Sequence, residues 1–249
     1  EGGISGFSYS PDMQHLLYTR DVKLDPTPQE IHPDLPKSNV FIADDLMYRH
    51  WDHWHDYAYS HVCYAPYTGE GTIKDGTDIM TGERYDTPML PWGGMEQVSW
   101  SPDGTKIAYT CKKLAGKEYT LSTDSEIYLY ELASGQTVTL SGHGFDGYDW
   151  DPVFSPDGGK MVWRSMEEPG FEADKERIIL YDFATAEAVE LTEGFDQSST
   201  SYVWSKDGNT LYFISGTKAT YQVYSMDIAS RQIRQLTLGD HDYQSIALA

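Results

Sequence analysis

A short turn motif recurs along the chain at nearly regular intervals. It reads SPDG at residues 101–104 and 155–158, SKDG at 205–208, and SPD at 10–12. Proline fixes φ at the second turn position, aspartate hydrogen-bonds nearby backbone, and glycine tolerates positive φ. The later copies begin 54 and 50 residues apart, and the first two begin 91 apart. Such spacing predicts tight turns within a repeated unit of about 45 residues, which is typical of propeller blades.

Each unit also contains four short segments with strand patterning. QVSWSPDGTKIAYT places one strand on each side of a turn, and EIYLYELASGQTVTL supplies a second pair. Val98 alternates with Trp100, and Ile127 with Leu129, so these side chains can face a neighbouring blade. Helical repeats of similar length would need apolar stripes of period 3.6, which are missing. The sequence therefore predicts an all-β fold, a β-propeller of four-stranded antiparallel blades.

The repeat spacing divides the chain into about five blades of one partial propeller domain. We expect an arc of a larger seven- or eight-bladed ring, and a closed five-bladed ring is the alternative. The predicted units are residues 1–40, 41–95, 96–145, 146–196 and 197–238, with a further blade beginning at 239–249.

The charge balance limits the partners of such a domain. Lys and Arg total 18 against 39 Asp and Glu, a formal charge of −21. An acidic surface repels nucleic acid and anionic lipid, so we expect neither partner. The sequence has no apolar run long enough to span a membrane. The N-terminal EGGISGFSYS lacks the charged and apolar regions expected of a signal peptide, and the start at Glu1 suggests a processed, truncated or engineered piece. Cys63 and Cys111 allow one disulfide or two separate thiols.

No motif for self-sufficient catalysis is present in the sequence. No serine has the glycines of a G-x-S-x-G nucleophile elbow, and P-loop and dinucleotide-binding fingerprints are missing. The predicted inner strands QVSW, DPVF and SYVW carry few acids for a glycosidase pair. We therefore predict no catalytic residue, no cofactor and no metal within this chain.

The first irregular segment, residues 20–61, is too long for an ordinary connection. Its second half is rich in histidine and aromatic residues, and IADDLMYRH has the length of one or two helical turns. Three interpretations of this half remain open: packing of aromatic rings, contact with a ligand, and a metal site. The metal interpretation would use His50 with His53, or His53 with His55, together with Asp52, Asp56 and Cys63.

Two further irregular segments are predicted to connect the second and third strands of neighbouring blades. They are CKKLAGKEYTLSTDSE at 111–126 and SMEEPGFEADKER at 165–177, and they should project side by side from one face. The second carries the carboxylates Glu167, Glu168, Glu172 and Asp174, which either bind a cationic group or form a solvated acidic loop.

Two longer segments carry a family resemblance. DLPKSNVFIADDLMYRHWDHW, and SMEEPGFEADKERIILYDF following DPVFSPDGGKMVW, resemble the propeller domain of prolyl oligopeptidase-family serine peptidases, in particular bacterial dipeptidyl-peptidase and acylaminoacyl-peptidase-like members. The resemblance implies that a C-terminal α/β-hydrolase domain of the parent chain carries a Ser-Asp-His triad. It also implies that the propeller admits short peptides and holds their N-terminal ends.

The resemblance leads to specific expectations for function. This chain should be the substrate-gating portion of a periplasmic or secreted peptidase and should be inactive alone, with peptide substrate and the hydrolase domain as partners. A carboxylate should pair with the α-amine of the peptide. The substrate-facing residues are predicted to be Arg49, His50, Trp51, Asp52, Glu168, Glu172 and Asp174. The alternatives are a TolB-like propeller that binds proteins without catalysis and a free-standing carbohydrate enzyme.

Overall fold

Four four-stranded antiparallel sheets make up most of the protein. The structure is a computed structural model and describes residues 3–69, 76–142 and 147–248. Sheet 1 contains β1 (Ile4–Tyr9), β2 (His15–Lys23), β5 (Ala58–Pro66) and β6 (Thr77–Asp78). Sheet 2 contains β7 (Val98–Trp100), β8 (Lys106–Cys111), β9 (Glu126–Glu131) and β10 (Gln136–Thr139). The predicted all-β class is confirmed.

The remaining two sheets repeat the same strand order. Sheet 3 contains β11 (Asp149–Phe154), β12 (Lys160–Ser165), β13 (Arg177–Asp182) and β14 (Glu187–Glu190). Sheet 4 contains β15 (Ser199–Trp204), β16 (Thr210–Thr217), β17 (Thr220–Asp227) and β18 (Ile233–Gln235). The smaller elements are helices α1 (Pro28–Ile31) and α2 (Gly116–Leu121), a 3₁₀ turn (Met95–Gln97), and a hairpin of β3 (Arg49–His50) and β4 (His53–Trp54).

The N-terminal part differs from the predicted division into units. β2 pairs with β5 along nine residue pairs, from His15↔Pro66 to Lys23↔Ala58. The predicted units 1–40 and 41–95 therefore contribute strands to one sheet, and the described residues form four four-stranded sheets where five blades were expected. The reason is that residues 24–57, here called the arm, connect the second and third strands of sheet 1. At the other end, the described residues 239–248 contain no strand.

The repeated motif forms the predicted turns. Ser101 Oγ donates to Asp103 Oδ1 at 2.6 Å, and the Lys106 amide donates to Ser101 Oγ at 2.9 Å. Gly104 has a φ of 69°, and Met13 takes the equivalent position in the first turn with a φ of 59°. A left-handed conformation costs a residue with a Cβ roughly 1–2 kcal/mol, so the serine–aspartate bonds must hold the first turn against that strain.

The core lies between successive sheets, as propeller packing requires. Ile127 and Leu129 of sheet 2 pack with Phe154, Met161 and Trp163 of sheet 3. Similar clusters join sheet 1 to sheet 2 and sheet 3 to sheet 4. The predicted inward alternation of β9 is thereby confirmed.

Two local expectations have clear outcomes. No helix forms within IADDLMYRH, where Arg49 instead opens the β3–β4 hairpin. One or two turns without a cap do not offset the cost of helix nucleation. Cys63 and Cys111 are free, buried thiols in sheets 1 and 2. No helix among the described residues is long and apolar enough to cross a membrane.

Candidate functional site

The irregular connections lie together at one end of the strands. Adjacent strands run in opposite directions. The connection from the second to the third strand therefore lies at the same end of the sheet as the connection from the fourth strand to the next sheet. Three connections are of this kind: the arm in sheet 1, the loop with helix α2 in sheet 2, and the acidic loop between β12 and β13 in sheet 3. The Gly170 amide donates to Thr123 Oγ1 at 2.9 Å, which joins the loop of sheet 3 to that of sheet 2. The predicted side-by-side arrangement of these loops is confirmed.

A cleft of about 490 Å³ separates the arm from the other connections at this end of the strands. One wall is the arm, including Phe41, Arg49 and Trp54. The opposite wall contains Leu90 from the connection to sheet 2 and Tyr119 from helix α2. Further polar groups line it: Asp25, Asp44, Asp45, His50, His53, His55, Tyr59, Arg84 and Asp86. A concave surface combining aromatic rings with a few convergent polar groups is the usual form of a ligand site.

A hydrogen-bonded network fixes the base of the cleft. Arg84 Nε donates to Asp25 Oδ1 at 2.8 Å, and the Tyr59 hydroxyl donates to Asp25 Oδ2 at 2.8 Å. Burial works against ionisation of Asp25, but Arg84 and Tyr59 outweigh it and hold the pKa of that carboxyl below its usual value. Burial also raises the pKa of Tyr59 well above its usual value. Asp25 is thus a paired carboxylate, which positions the arm against the sheet.

Asp86 is a buried carboxylate of the cleft that forms no ion pair with Lys or Arg among the described residues. Burial raises its pKa to about 6, although the Ser60 amide donates to Asp86 Oδ1 at 2.8 Å and His55 lies near enough to oppose the rise. The Tyr57 amide donates to His55 Nδ1 at 3.0 Å, so the proton of a neutral His55 ring sits on Nε2. That buried Nε2 has no hydrogen-bond partner within the described part of the chain. An acid lacking a cation partner in a ligand-sized cleft is suited to receive a cationic ligand.

The structure separates the four predicted residues of the arm. Arg49 and His50 line the cleft, and the Arg49 guanidinium lies 5.7 Å from the centre of the Trp54 ring. Trp51 is 60% exposed and packs edge to face on Trp92, with 5.2 Å between ring centres. Asp52 pairs with His53 at 2.7 Å on the exposed tip of the hairpin.

The three predicted carboxylates of sheet 3 lie outside the cleft lining. Asp174 Oδ2 accepts from the Glu167 amide at 2.6 Å, from the Glu168 amide at 3.2 Å and from Arg177 Nη1 at 3.1 Å. Partial burial opposes ionisation, but these donors lower the pKa of Asp174 to about 2. Glu168 and Glu172 are exposed on the same loop. The structure therefore does not bring the two predicted groups together in one lining, and Asp174 organises its own loop.

The metal interpretation of the histidine cluster is not supported. Within residues 3–69, 76–142 and 147–248, no three His, Cys, Asp or Glu side chains are placed to hold a metal ion. Cys63 instead lies buried in β5, where burial raises the pKa of its thiol to about 11.

Sequence reasoning missed Asp25 and Asp86. Asp25 begins the arm, and Asp86 lies in the connection from sheet 1 to sheet 2, so 61 residues separate them in the chain. Neither belongs to a recognisable motif. His55 belonged to the histidine-rich cluster, which was the available signal for this wall of the cleft.

Comparison with known proteins agrees with this architecture. Dipeptidyl-peptidase 5 of Porphyromonas gingivalis is 42% identical over 247 residues, which cover 99% of this chain and 36% of that protein. The chain thus spans about a third of the length of that curated relative.

Solved structures support the fold. Acylaminoacyl peptidase of Pyrococcus horikoshii matches 95% of this chain and 32% of its own, with a TM-score of 0.62 and 13% identity. TolB of Acinetobacter baumannii matches 95% of this chain and 44% of its own, with a TM-score of 0.53 and 18% identity. The family model of the TolB beta propeller domain, PD40, matches residues 75–249. The predicted resemblance to peptidase propellers is confirmed, and the chain belongs to the TolB β-propeller domain family.

Proposed function

We propose that this chain is the substrate-gating and substrate-positioning propeller portion of a serine-type dipeptidyl peptidase. The catalytic residues would lie in an α/β-hydrolase domain elsewhere in the parent protein. The observation that carries this proposal is the 42% identity with dipeptidyl-peptidase 5 along 99% of the chain. The match covers 36% of that relative, which leaves room in the parent for a separate catalytic domain.

The cleft beside the arm is the proposed holding site for the peptide. The α-amine of a short peptide would pair with Asp86, and a salt-linked hydrogen bond of this kind is stronger where water is excluded. Arg49 and His50 of the arm would contact the adjacent backbone or side chain, and the rings of Phe41 and Trp54 would cover its apolar part.

The remaining predicted residues take outlying roles in this proposal. Trp51 and Asp52 would contact the peptide as it enters, because they lie at the exposed end of the hairpin. Glu168 and Glu172 would attract the cationic end of the peptide from the neighbouring loop. Asp174 would position that loop, because both of its oxygens already accept internal hydrogen bonds.

A second candidate function is a TolB-like scaffold that binds a protein partner without catalysis. The PD40 match over residues 75–249 favours it, because the same family model describes TolB. Either function fits the proposed periplasmic or secreted location.

One experiment distinguishes the two candidates. The parent protein and the 249-residue chain are each incubated with dipeptidyl chromogenic substrates, with and without a serine-reactive inhibitor. We expect the parent to hydrolyse the substrate until the inhibitor is added, and the chain alone to be inactive. A parent protein without hydrolysis would favour the scaffold, and inhibitor-sensitive turnover by the chain alone would contradict the placement of catalysis elsewhere.

A further inference from the structure

The chain enters and leaves the arm through one narrow stem, next to which Arg84 and Tyr59 hold Asp25. β2 and β5 remain paired up to Lys23 and Ala58, and the amides of Leu24 and Asp25 both donate to the Tyr57 carbonyl at 3.1 and 3.2 Å. The chain therefore leaves and re-enters the sheet at adjacent positions. An insertion attached in this way can rotate about its stem without breaking the sheet.

Residues 41–57 make several contacts with one another, and next to the stem the His55 ring also packs on Tyr59 of β5 with 4.7 Å between ring centres. The Phe41 ring lies 4.9 Å from the Trp54 ring and 5.5 Å from the Tyr57 ring, measured between centres. Tyr48 stacks on Trp54 at 6.0 Å, and the His55 amide donates to the Tyr48 carbonyl at 3.0 Å. These contacts make the distal part of the arm a small unit that can move as one body.

Among the described residues, two exposed contacts between this unit and the far side of the cleft stand out. Trp51 packs edge to face on Trp92, and the two side chains are 60% and 78% exposed. Asp45 approaches the first residue of helix α2, where a Cβ on Gly116 would lie 3.2 Å from Asp45 Oδ1. Neither contact is buried. The contacts across the cleft are therefore weaker than the contacts within residues 41–57.

We propose that residues 41–57 form a lid over the cleft, hinged at the Lys23–Ala58 stem and latched by the contact between Trp51 and Trp92. The cleft lies between this unit and Leu90, which belongs to the same connection as Trp92, so rotation about the stem would open or close it. The inference extends the proposed function, because the lid controls entry of the peptide to the site that holds it. An edge-to-face aromatic pair changes a two-state equilibrium by about 2- to 12-fold, so loss of the latch should shift the balance toward the open form by that factor.

The test measures the distance across the cleft by pulsed electron resonance in the parent protein. Nitroxide labels are placed on Asp52→Cys at the hairpin tip and Lys117→Cys on helix α2, both exposed positions. Loss of the latch in Trp92→Ala should raise the ratio of long to short distances by about 2- to 12-fold. The matched control is Phe171→Ala, which removes an exposed aromatic ring from the loop of sheet 3, outside the cleft lining.

An unchanged distance distribution in Trp92→Ala, or an equal change in Phe171→Ala, would overturn the lid. Trp92 is 78% exposed, so its replacement leaves the folded sheets intact. The measurement needs no turnover. A parent protein that hydrolyses no dipeptidyl substrate would therefore contradict the proposed function without deciding the movement of the lid.

Discussion

The cleft beside the arm and a crevice between sheets 2 and 3 each contain an aspartate whose pKa burial raises to about 6. Asp86 opens onto about 490 Å³ of space, whereas Asp149 opens onto about 80 Å³. Among the described residues, neither carboxylate forms an ion pair with Lys or Arg. The two carboxylates are alike in this respect, and only the cleft that contains Asp86 has room for a peptide terminus. A shifted pKa therefore indicates a binding site only where the surrounding space admits a ligand.

The structural role of Asp149 follows from its neighbours. Its side chain is nearly inaccessible, and the Ser165 and Ser141 hydroxyls oppose the rise in its pKa. Its backbone is also fixed, because Ser125 Oγ donates to the Asp149 carbonyl at 2.8 Å. Asp149 therefore contributes to the join between two sheets, and it provides a matched control for substitutions of Asp86.

The largest expected effect compares the tryptophans that line the two regions. Trp163 lines the crevice and is 2% exposed, whereas Trp54 lines the cleft and is 54% exposed. Trp163→Ala should lower the free energy of unfolding by about 3–5 kcal/mol because it leaves a cavity in the core. Trp54→Ala should lower it by about 1 kcal/mol or less. Chemical denaturation of both variants measures the difference, and equal losses would break the distinction between scaffold and site.

A smaller effect is expected on the pH dependence of stability. Asp149 binds its proton more tightly in the folded state than in the unfolded chain, so its ionisation removes stability as the pH rises from about 4 to about 6. The shift corresponds to at most about 3 kcal/mol. Asp149→Asn carries no charge and should be more stable than the parent by about 1–2 kcal/mol at about pH 7, with no gain below about pH 4. Denaturation at both pH values tests this, and a loss of stability at neutral pH would show that the buried charge has a partner.

The smallest expected effect concerns the pH dependence of peptide hydrolysis by the parent protein. Only ionised Asp86 attracts a protonated amine, so kcat/KM should fall about tenfold per unit as the pH drops below about 6. Asp86→Asn should lose the contribution of this titration and show a shallower fall, which leaves that of the catalytic histidine, and Asp149→Asn should keep the full fall. An equally steep fall in Asp86→Asn would assign the titration to another group.

The repeated parts of the molecule were predictable because local chemistry determines them. The S-P-D-G or S-K-D-G turn, and an alternation of apolar residues like that of Ile127 with Leu129, recur in three units. One interpretation therefore applied to three sheets. The same reasoning divided sheet 1 into two units, because the arm separates β2 from β5 in the sequence. Spacing in the sequence therefore no longer indicates which strands pair.

The candidate site was predictable only in part, because it depends on contacts between distant segments. Arg49 and His50 belonged to a conspicuous cluster and line the cleft. Asp86 acquires its raised pKa from burial between the sheet and the arm, and no neighbouring residue in the sequence indicates that environment. Glu168 and Glu172 were prominent as charges, yet the fold leaves them exposed outside the lining.

The most direct test of the central claim, that Asp86 holds the peptide amine, compares a free-amine dipeptidyl substrate with its N-acetylated form. The parent protein should prefer the free amine by about 10- to 100-fold in kcat/KM, as expected for a hydrogen bond to a charged group. Asp86→Asn should reduce the preference to within about threefold, and Asp149→Asn should retain it in full. An undiminished preference in Asp86→Asn would contradict the account.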